Sequence, residues 1–136
     1  MKYFDREFMT GSLTDEECDK RIQAYDNHIR EILNNANYKI RMLAEAISLH
    51  DAKILEINRL GKKSEFHILV GDNQKGHAQV LLTFFSSKNL ESIPSKLPFE
   101  IVYYELDYDD EYTLSCISGD FKEFAIRFTD ITIVFE

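Results

Sequence analysis

The hydrophobic period of this chain changes once, at Ala52, and that change restricts the fold more than any other feature. Before it, apolar residues recur at Cys18, Ile22, Tyr25, Ile29, Ile32/Leu33, Ala36, Ile40, Leu43 and Ile47, in steps of three and four. That is one buried face of an α-helix over about eight turns. After it the period is two, in six runs separated by polar or glycine turns: Lys53–Leu60, Ser64–Val70, His77–Phe85, Phe99–Asp107, Tyr112–Ser118 and Glu123–Phe135. Helices followed by strands, without helix-length spacers between most strands, imply an α+β class with antiparallel pairing. The expected architecture is one domain over 1–136, helical over 3–48 and sheet over 52–136. The N-terminal helices are expected on one face of a roughly six-stranded antiparallel meander.

Local signals set the boundaries. Phe4 and Phe8 lie four apart, on one face of a short helix over Tyr3 to Met9 that Gly11 is suited to end. Thr14-Asp15-Glu16-Glu17 is a capping box, with Leu13 and Cys18 at the staple positions. Asn34-Asn35-Ala36-Asn37 interrupts helix propensity, so the segment is either a kinked helix of about 33 residues or two helices meeting near Asn35. Two helices are preferred, because a rod of about 50 Å would overhang so small a domain. In the last run Phe124, Ile126 and Phe128 hold one phase and Ile131, Ile133 and Phe135 the other. A bulge or break near Thr129-Asp130 would restore the alternation. Ser86 to Pro98 reads as an extended connection, with one helical turn at Leu90 and Ile93.

The strands leave a mixed outer face. Phe66, Ile68 and Val70, like Ala78, Val80, Leu82 and Phe84, alternate toward the helices. The opposite face carries Glu65, His67, His77, Gln79 and Thr83, but also Leu69, Leu81 and Phe85. Such a face is a candidate for cover by the 87–98 segment or for a homodimer contact.

Charge narrows the functions. Of 24 acids, seven fall between Leu97 and Phe121, a stretch without Lys or Arg, leaving 17 acids against 16 bases elsewhere. Nothing forms a basic stripe, which excludes nucleic acid as the expected partner. No window approaches the roughly 20 apolar residues of a membrane span and the start of the chain lacks a signal-peptide pattern, so no membrane association and a cytoplasmic location are expected. Two cysteines, Cys18 and Cys116, build neither a disulfide framework nor a four-ligand zinc site, and read as buried thiols.

The familiar catalytic cassettes are absent, and the reading leans away from an enzyme; no cofactor or metal is expected. Gly71-Asp72-Asn73-Gln74-Lys75-Gly76 is followed by His77-Ala78 where a phosphate loop needs Lys-Ser/Thr, and it reads as a hairpin turn. His67 and His77 become diagonal neighbours if Phe66 pairs Val80, but two histidines do not make a metal site. Asp107-Tyr108-Asp109-Asp110-Glu111 resembles the start of a calcium loop, yet Tyr112 stands where Gly is needed and Ser118 where the closing Glu would be. It reads instead as a hairpin turn. Its functional reading is a protein-binding patch of Tyr103, Asp107, Tyr108, Asp109, Asp110, Glu111 and Tyr112, in which tyrosines anchor and carboxylates steer a basic protein partner. His50-Asp51, at the junction of helices and sheet, reads as a helix end followed by a local turn. The alternative function centres there: a small-ligand or enzyme pocket between helices and sheet, around His50, Asp51 and the tyrosines.

The Met1-Lys2-Tyr3-Phe4 start, the Leu49-His50-Asp51-Ala52 segment and the run Phe124-Ala125-Ile126-Arg127-Phe128-Thr129-Asp130-Ile131 resemble a bacterial family of small cytosolic proteins classed as a domain of unknown function. The resemblance implies a cytosolic, non-enzymatic protein and carries over no catalytic residue. A protein-binding role would resemble that of immunity proteins of bacterial toxin systems, small acidic α+β domains that mask basic toxin surfaces, by analogy of fold alone.

Overall fold

In a computed structural model describing residues 1–72, 76–88 and 93–136, the part before Ala52 forms three α-helices and a π turn. α1 (Arg6–Met9) opens at Asp5, whose carboxylate accepts the Phe8 N–H at 3.0 Å. α2 (Asp15–Leu33) starts from a complete capping box. The Thr14 hydroxyl accepts the Glu17 N–H at 3.2 Å, and the Glu17 carboxylate accepts the Thr14 N–H at 3.4 Å. The asparagine cluster makes two helices, not a kinked rod. α2 ends at Asn34, and Asn37 caps α3 (Tyr38–Arg41) by accepting the Ile40 N–H at 3.1 Å. The helical stretch stops short of residue 48: Met42–Ala46 is a single π turn, and Ile47 is already extended.

Among the described residues eight strands follow: β1 (Lys53–Leu60), β2 (Lys63–Asp72), β3 (Gly76–Phe85), β4 (Phe99–Glu100), β5 (Tyr103–Asp109), β6 (Glu111–Ile117), β7 (Glu123–Phe128) and β8 (Asp130–Phe135). The fold is α+β with antiparallel pairing, but the single six-stranded meander is not what forms. There are two sheets, ordered β4-β1-β2-β3-β8 and β5-β6-β7. Two of the six runs split because each turns a corner between sheets. The run from Phe99 breaks at Ile101-Val102, and the run from Glu123 breaks at Thr129, where its hydrophobic phase inverts. Backbone bonds span the corners, from Ile101 N–H to the Ala52 carbonyl at 2.8 Å and from Thr129 N–H to the Phe85 carbonyl at 3.0 Å.

The meander fails at β3. Its free edge takes β8, setting Leu82 opposite Ile133 and Phe84 opposite Ile131, and the connection after Phe85 carries the chain round to β4 beside β1. Sequential strands are adjacent only about two-thirds of the time, and a long connection removes the constraint. The helical turn expected at Leu90 and Ile93 falls partly on residues 89–92, outside the described residues.

The register of β2 and β3 also differs from the expected one. Phe66 pairs Leu82, which sets His67 opposite Leu81 and His77 opposite Gly71, so the two histidines are not diagonal neighbours. Pairing runs out to Asp72 and Gly76, as in a hairpin, and residues 73–75 at its tip lie outside the description. Gly71 is needed there: its φ is +101°, and a Cβ would sit 2.2 Å from the Gly76 carbonyl oxygen.

The helices do not lie on one face of one sheet. α2 packs against β5 and α3 against β8, so they reach both sheets. Leu33, Ile40, Leu43, Ile47 and Leu49 enter a single core with Phe66, Phe84, Phe124 and Phe128. Phe84 lies 5.0 Å from Phe66 and 4.9 Å from Phe128 between ring centres, both edge-on. On the outer face Leu69, Leu81 and Phe85 are half-buried, and Val134, opposite Leu81, is exposed. Cys116 is buried and Cys18 half-buried, both as free thiols. Among the described residues, no helix is long and apolar enough to cross a membrane.

Candidate functional site

The acidic hairpin folds as a tight turn, with Asp109 opposite Glu111 and Asp110 at the tip in the left-handed region (φ +63°). Asp tolerates that conformation better than most residues. The expected binding residues do not all meet there. Tyr103 pairs Ile117 at the far end of β5, about 17 Å of strand away from Tyr108. Two of the four carboxylates are neutralised within the molecule. Asp107 faces His28 Nε2 at 3.1 Å and Lys2 Nζ at 3.4 Å. Glu111 accepts a hydrogen bond from Lys88 Nζ at 2.6 Å and has Arg127 Nε at 3.4 Å. The Lys88 bond, helped by the charges of Lys88 and Arg127 against some desolvation, holds the Glu111 carboxyl below its usual range. Asp109 and Asp110 form no ion pair among the described residues. Tyr108, 51% exposed, leans on Tyr112 at 4.7 Å, and Tyr112 stacks on Phe128.

The junction of helices and sheet holds a cavity of about 360 Å³, lined by Phe4, Tyr25, Asp26, Ile29, Ala44, His50, Tyr103 and Tyr104. Each wall has a local cause. The segment before α1 is strapped across β5 by Glu105, a buried residue whose Oε2 accepts the Lys2 N–H at 2.9 Å. Its Oε1 accepts the N–H groups of Tyr3 and Phe4 at 2.5 and 2.8 Å. Arg21 of α2 ties the same segment through Asp5 at 2.7 Å. Phe4 thereby stacks on Tyr103 at 5.4 Å and meets Tyr25 edge-on at 5.2 Å.

Tyr25 reaches the site from α2, and its hydroxyl accepts the Leu106 N–H at 2.9 Å. Burial pushes its phenol well above the ordinary value, and the nearby Tyr104, Glu105 and Asp107 add to this; the Leu106 bond opposes only part. Tyr104 is raised by burial too, with a bond to the Leu49 backbone opposing. Ala44 comes from the π turn, an irregularity often found at functional sites.

His50 sits 5.2 Å from the Tyr103 ring. The next residue, Asp51, takes φ +63° and donates its N–H to the Ile101 carbonyl at 2.7 Å, which makes the local turn read from the sequence. The Nδ1 of His50 contacts the Val102 carbonyl, which only accepts, so Nδ1 carries the proton. The other ring nitrogen, Nε2, lies 3.5 Å from Asp51 Oδ2. The lining thus combines four aromatic rings with one acidic residue, Asp26, and one imidazole, His50.

A larger cleft, of about 710 Å³, lies between residues 93–100 and the turn after β6, lined by Lys96, Glu100, Asp120, Lys122 and Glu123 among others. It is the weaker candidate despite its volume. Its charges are of both signs, with Lys122 3.6 Å from Asp120, and among its described lining residues Phe99 alone is aromatic. Among the described residues no three His, Cys, Asp or Glu side chains gather as a metal site. Comparison of the chain with protein-family models, curated proteins and solved structures gives no match.

Of the cavity residues, sequence reasoning singled out His50 and Tyr103 and pointed to the tyrosines around the junction. It placed Phe4 on the helix expected over Tyr3 to Met9, which begins only at Arg6 because Asp5 caps it, and Tyr25 and Ile29 on the buried helix stripe, without assigning them a site. Asp26 carried no signal of its own.

Proposed function

We propose that the chain is a non-catalytic binding domain whose ligand is a small molecule held between α2, the π turn and β5. The observation that carries this reading is the ring-lined cavity of about 360 Å³ at the helix–sheet junction. Its size falls at the lower end of the roughly 300–1,000 Å³ typical of ligand pockets, and its mostly apolar wall with a few polar groups has the usual composition. The contacts of His50 run to the Val102 carbonyl and to Asp51, neither of which lines the cavity. The test is an NMR titration with a panel of soluble fragments, following the amides of Tyr25, His50, Tyr103 and Tyr104. Saturable shifts centred on these residues support the proposal; a panel that leaves them all unmoved refutes it.

A second reading is supported by the hairpin tip, where Asp109, Asp110 and the exposed Tyr108 face solvent without internal cations. It is the surface for a basic protein partner, in the manner of an immunity protein. Lys2, Lys88 and Arg127 weaken it, because they already pair with the remaining acids. A purified basic protein bound by the native chain and equally by Asp109→Asn/Asp110→Asn would remove this reading.

A further inference from the structure

Resting on the reading of the junction cavity as a ligand site, we infer that its ligand is a small organic cation, a substituted ammonium. The charge of the wall is one-sided: Asp26 is acidic and no Lys or Arg lines the cavity. The Asp26 carboxylate forms no ion pair or side-chain hydrogen bond with the described residues, whereas its neighbours Asp5 and Asp107 are each held by a cation. An anionic ligand would meet this carboxylate with nothing to offset it.

The rings add to the argument. Phe4, Tyr25, Tyr103 and Tyr104 carry negative electrostatic potential on their faces, and a cation among such rings is attracted most when it is weakly hydrated. An alkyl-substituted ammonium meets that condition, since its charge is spread over carbon that also suits Ile29 and Ala44. The Nδ1 of His50 is taken up by the Val102 carbonyl and its Nε2 faces Asp51, so the ring is already partnered within the chain and is not the group that would hold a ligand's charge. The net charge of −8 favours the approach of a cation from solution.

The probe is choline, titrated at low salt against the isotopically labelled chain, beside its neutral carbon isostere 3,3-dimethylbutan-1-ol. Both have the same shape, and only the first is charged. Choline is expected to shift the amides of Asp26, His50 and Tyr103 with an affinity about 10-fold above that of the isostere. Asp26→Asn, at an exposed position that leaves the fold intact, should weaken choline about 3- to 5-fold and leave the isostere unchanged. Equal binding of the two probes would overturn the cation inference while the cavity remained a ligand site. Absence of shifts from either would overturn the inference, and the fragment titration then decides whether the cavity reading falls with it.

Discussion

Replacing Glu105 by Gln probes how the segment that carries Phe4 is held over the cavity. One buried carboxylate accepts three backbone N–H groups, from Lys2, Tyr3 and Phe4. The amide of Gln has one oxygen: placed at the Oε1 position it still accepts from Tyr3 and Phe4, but its NH₂ then faces the Lys2 N–H, donor against donor. Losing one hydrogen bond to a charged group costs about 1.5–3 kcal/mol, and the two that survive weaken because their acceptor is now neutral. Relief comes from detachment of the strap, which rehydrates its N–H groups and gives up the contacts of Phe4 with Tyr25 and Tyr103 and of Phe8 with Tyr103. The expected net loss is therefore about 2–3 kcal/mol. Urea unfolding at pH 7 should show a lower midpoint, and hydrogen exchange should show the amides of residues 2–4 losing protection ahead of the strands. A variant within about 0.5 kcal/mol of the native chain, with the protection of residues 2–4 unchanged, would refute the role assigned to Glu105.

Three further outcomes follow from the packing and the ionisable groups. Phe84→Ala removes a fully buried ring lying between Phe66 and Phe128 and should cost about 3–5 kcal/mol in urea unfolding; a loss under about 1 kcal/mol would mean the core closes around the gap. Tyr25 keeps its proton in the fold beyond its ordinary value of 10.0, so the unfolded chain ionises first and stability falls as pH rises above that value. Tyr25→Phe should lower stability at pH 7 by about 1–2 kcal/mol, through the stranded Leu106 N–H, and make the alkaline decline shallower; parallel curves between pH 9 and 11 would contradict this. At Asp130 burial would raise the carboxyl, but hydrogen bonds from Lys39, the Ile131 N–H and Asn37 outweigh it and hold the group below 3.8. Its contribution is present above 3.8 and lost as pH falls through the lowered value, so the stability gap between the native chain and Asp130→Asn should be open at pH 7 and close toward pH 2. A gap independent of pH would show that the ion pair with Lys39 is not its source.

What was legible in the sequence follows the range of the interactions involved. The Thr14 capping box, the break at the asparagines and the strand bounds of β1 are local, and the chain spells them out. The pairing of β3 with β8 is a contact across about 50 residues, selected by Ile131 and Ile133 fitting beside Phe84 and Leu82, and no local pattern contains it. The phase inversion at Thr129 was visible as an irregularity. A bulge and a change of sheet give the same irregularity, and only the position of β3 decides between them. The cavity shows the same division. His50 and Tyr103 drew attention as chemistry at a junction, but Phe4 and Tyr25 reach it through Glu105 and Arg21, whose partners lie about 100 and 16 residues away in the chain.

The two corners have a consequence for how the molecule comes apart. Each edge strand of the three-stranded sheet continues through the backbone into an edge strand of the five-stranded one, β5 from β4 and β7 into β8. Neither sheet can be stripped from the core without dragging at both ends on its neighbour, and the aromatic cluster of Phe66, Phe84, Phe124 and Phe128 draws on both. The sheets are therefore expected to open as one cooperative unit: the slowest-exchanging amides of β2 and β6 should share a single opening free energy, and both sheets should lose structure at the same denaturant concentration.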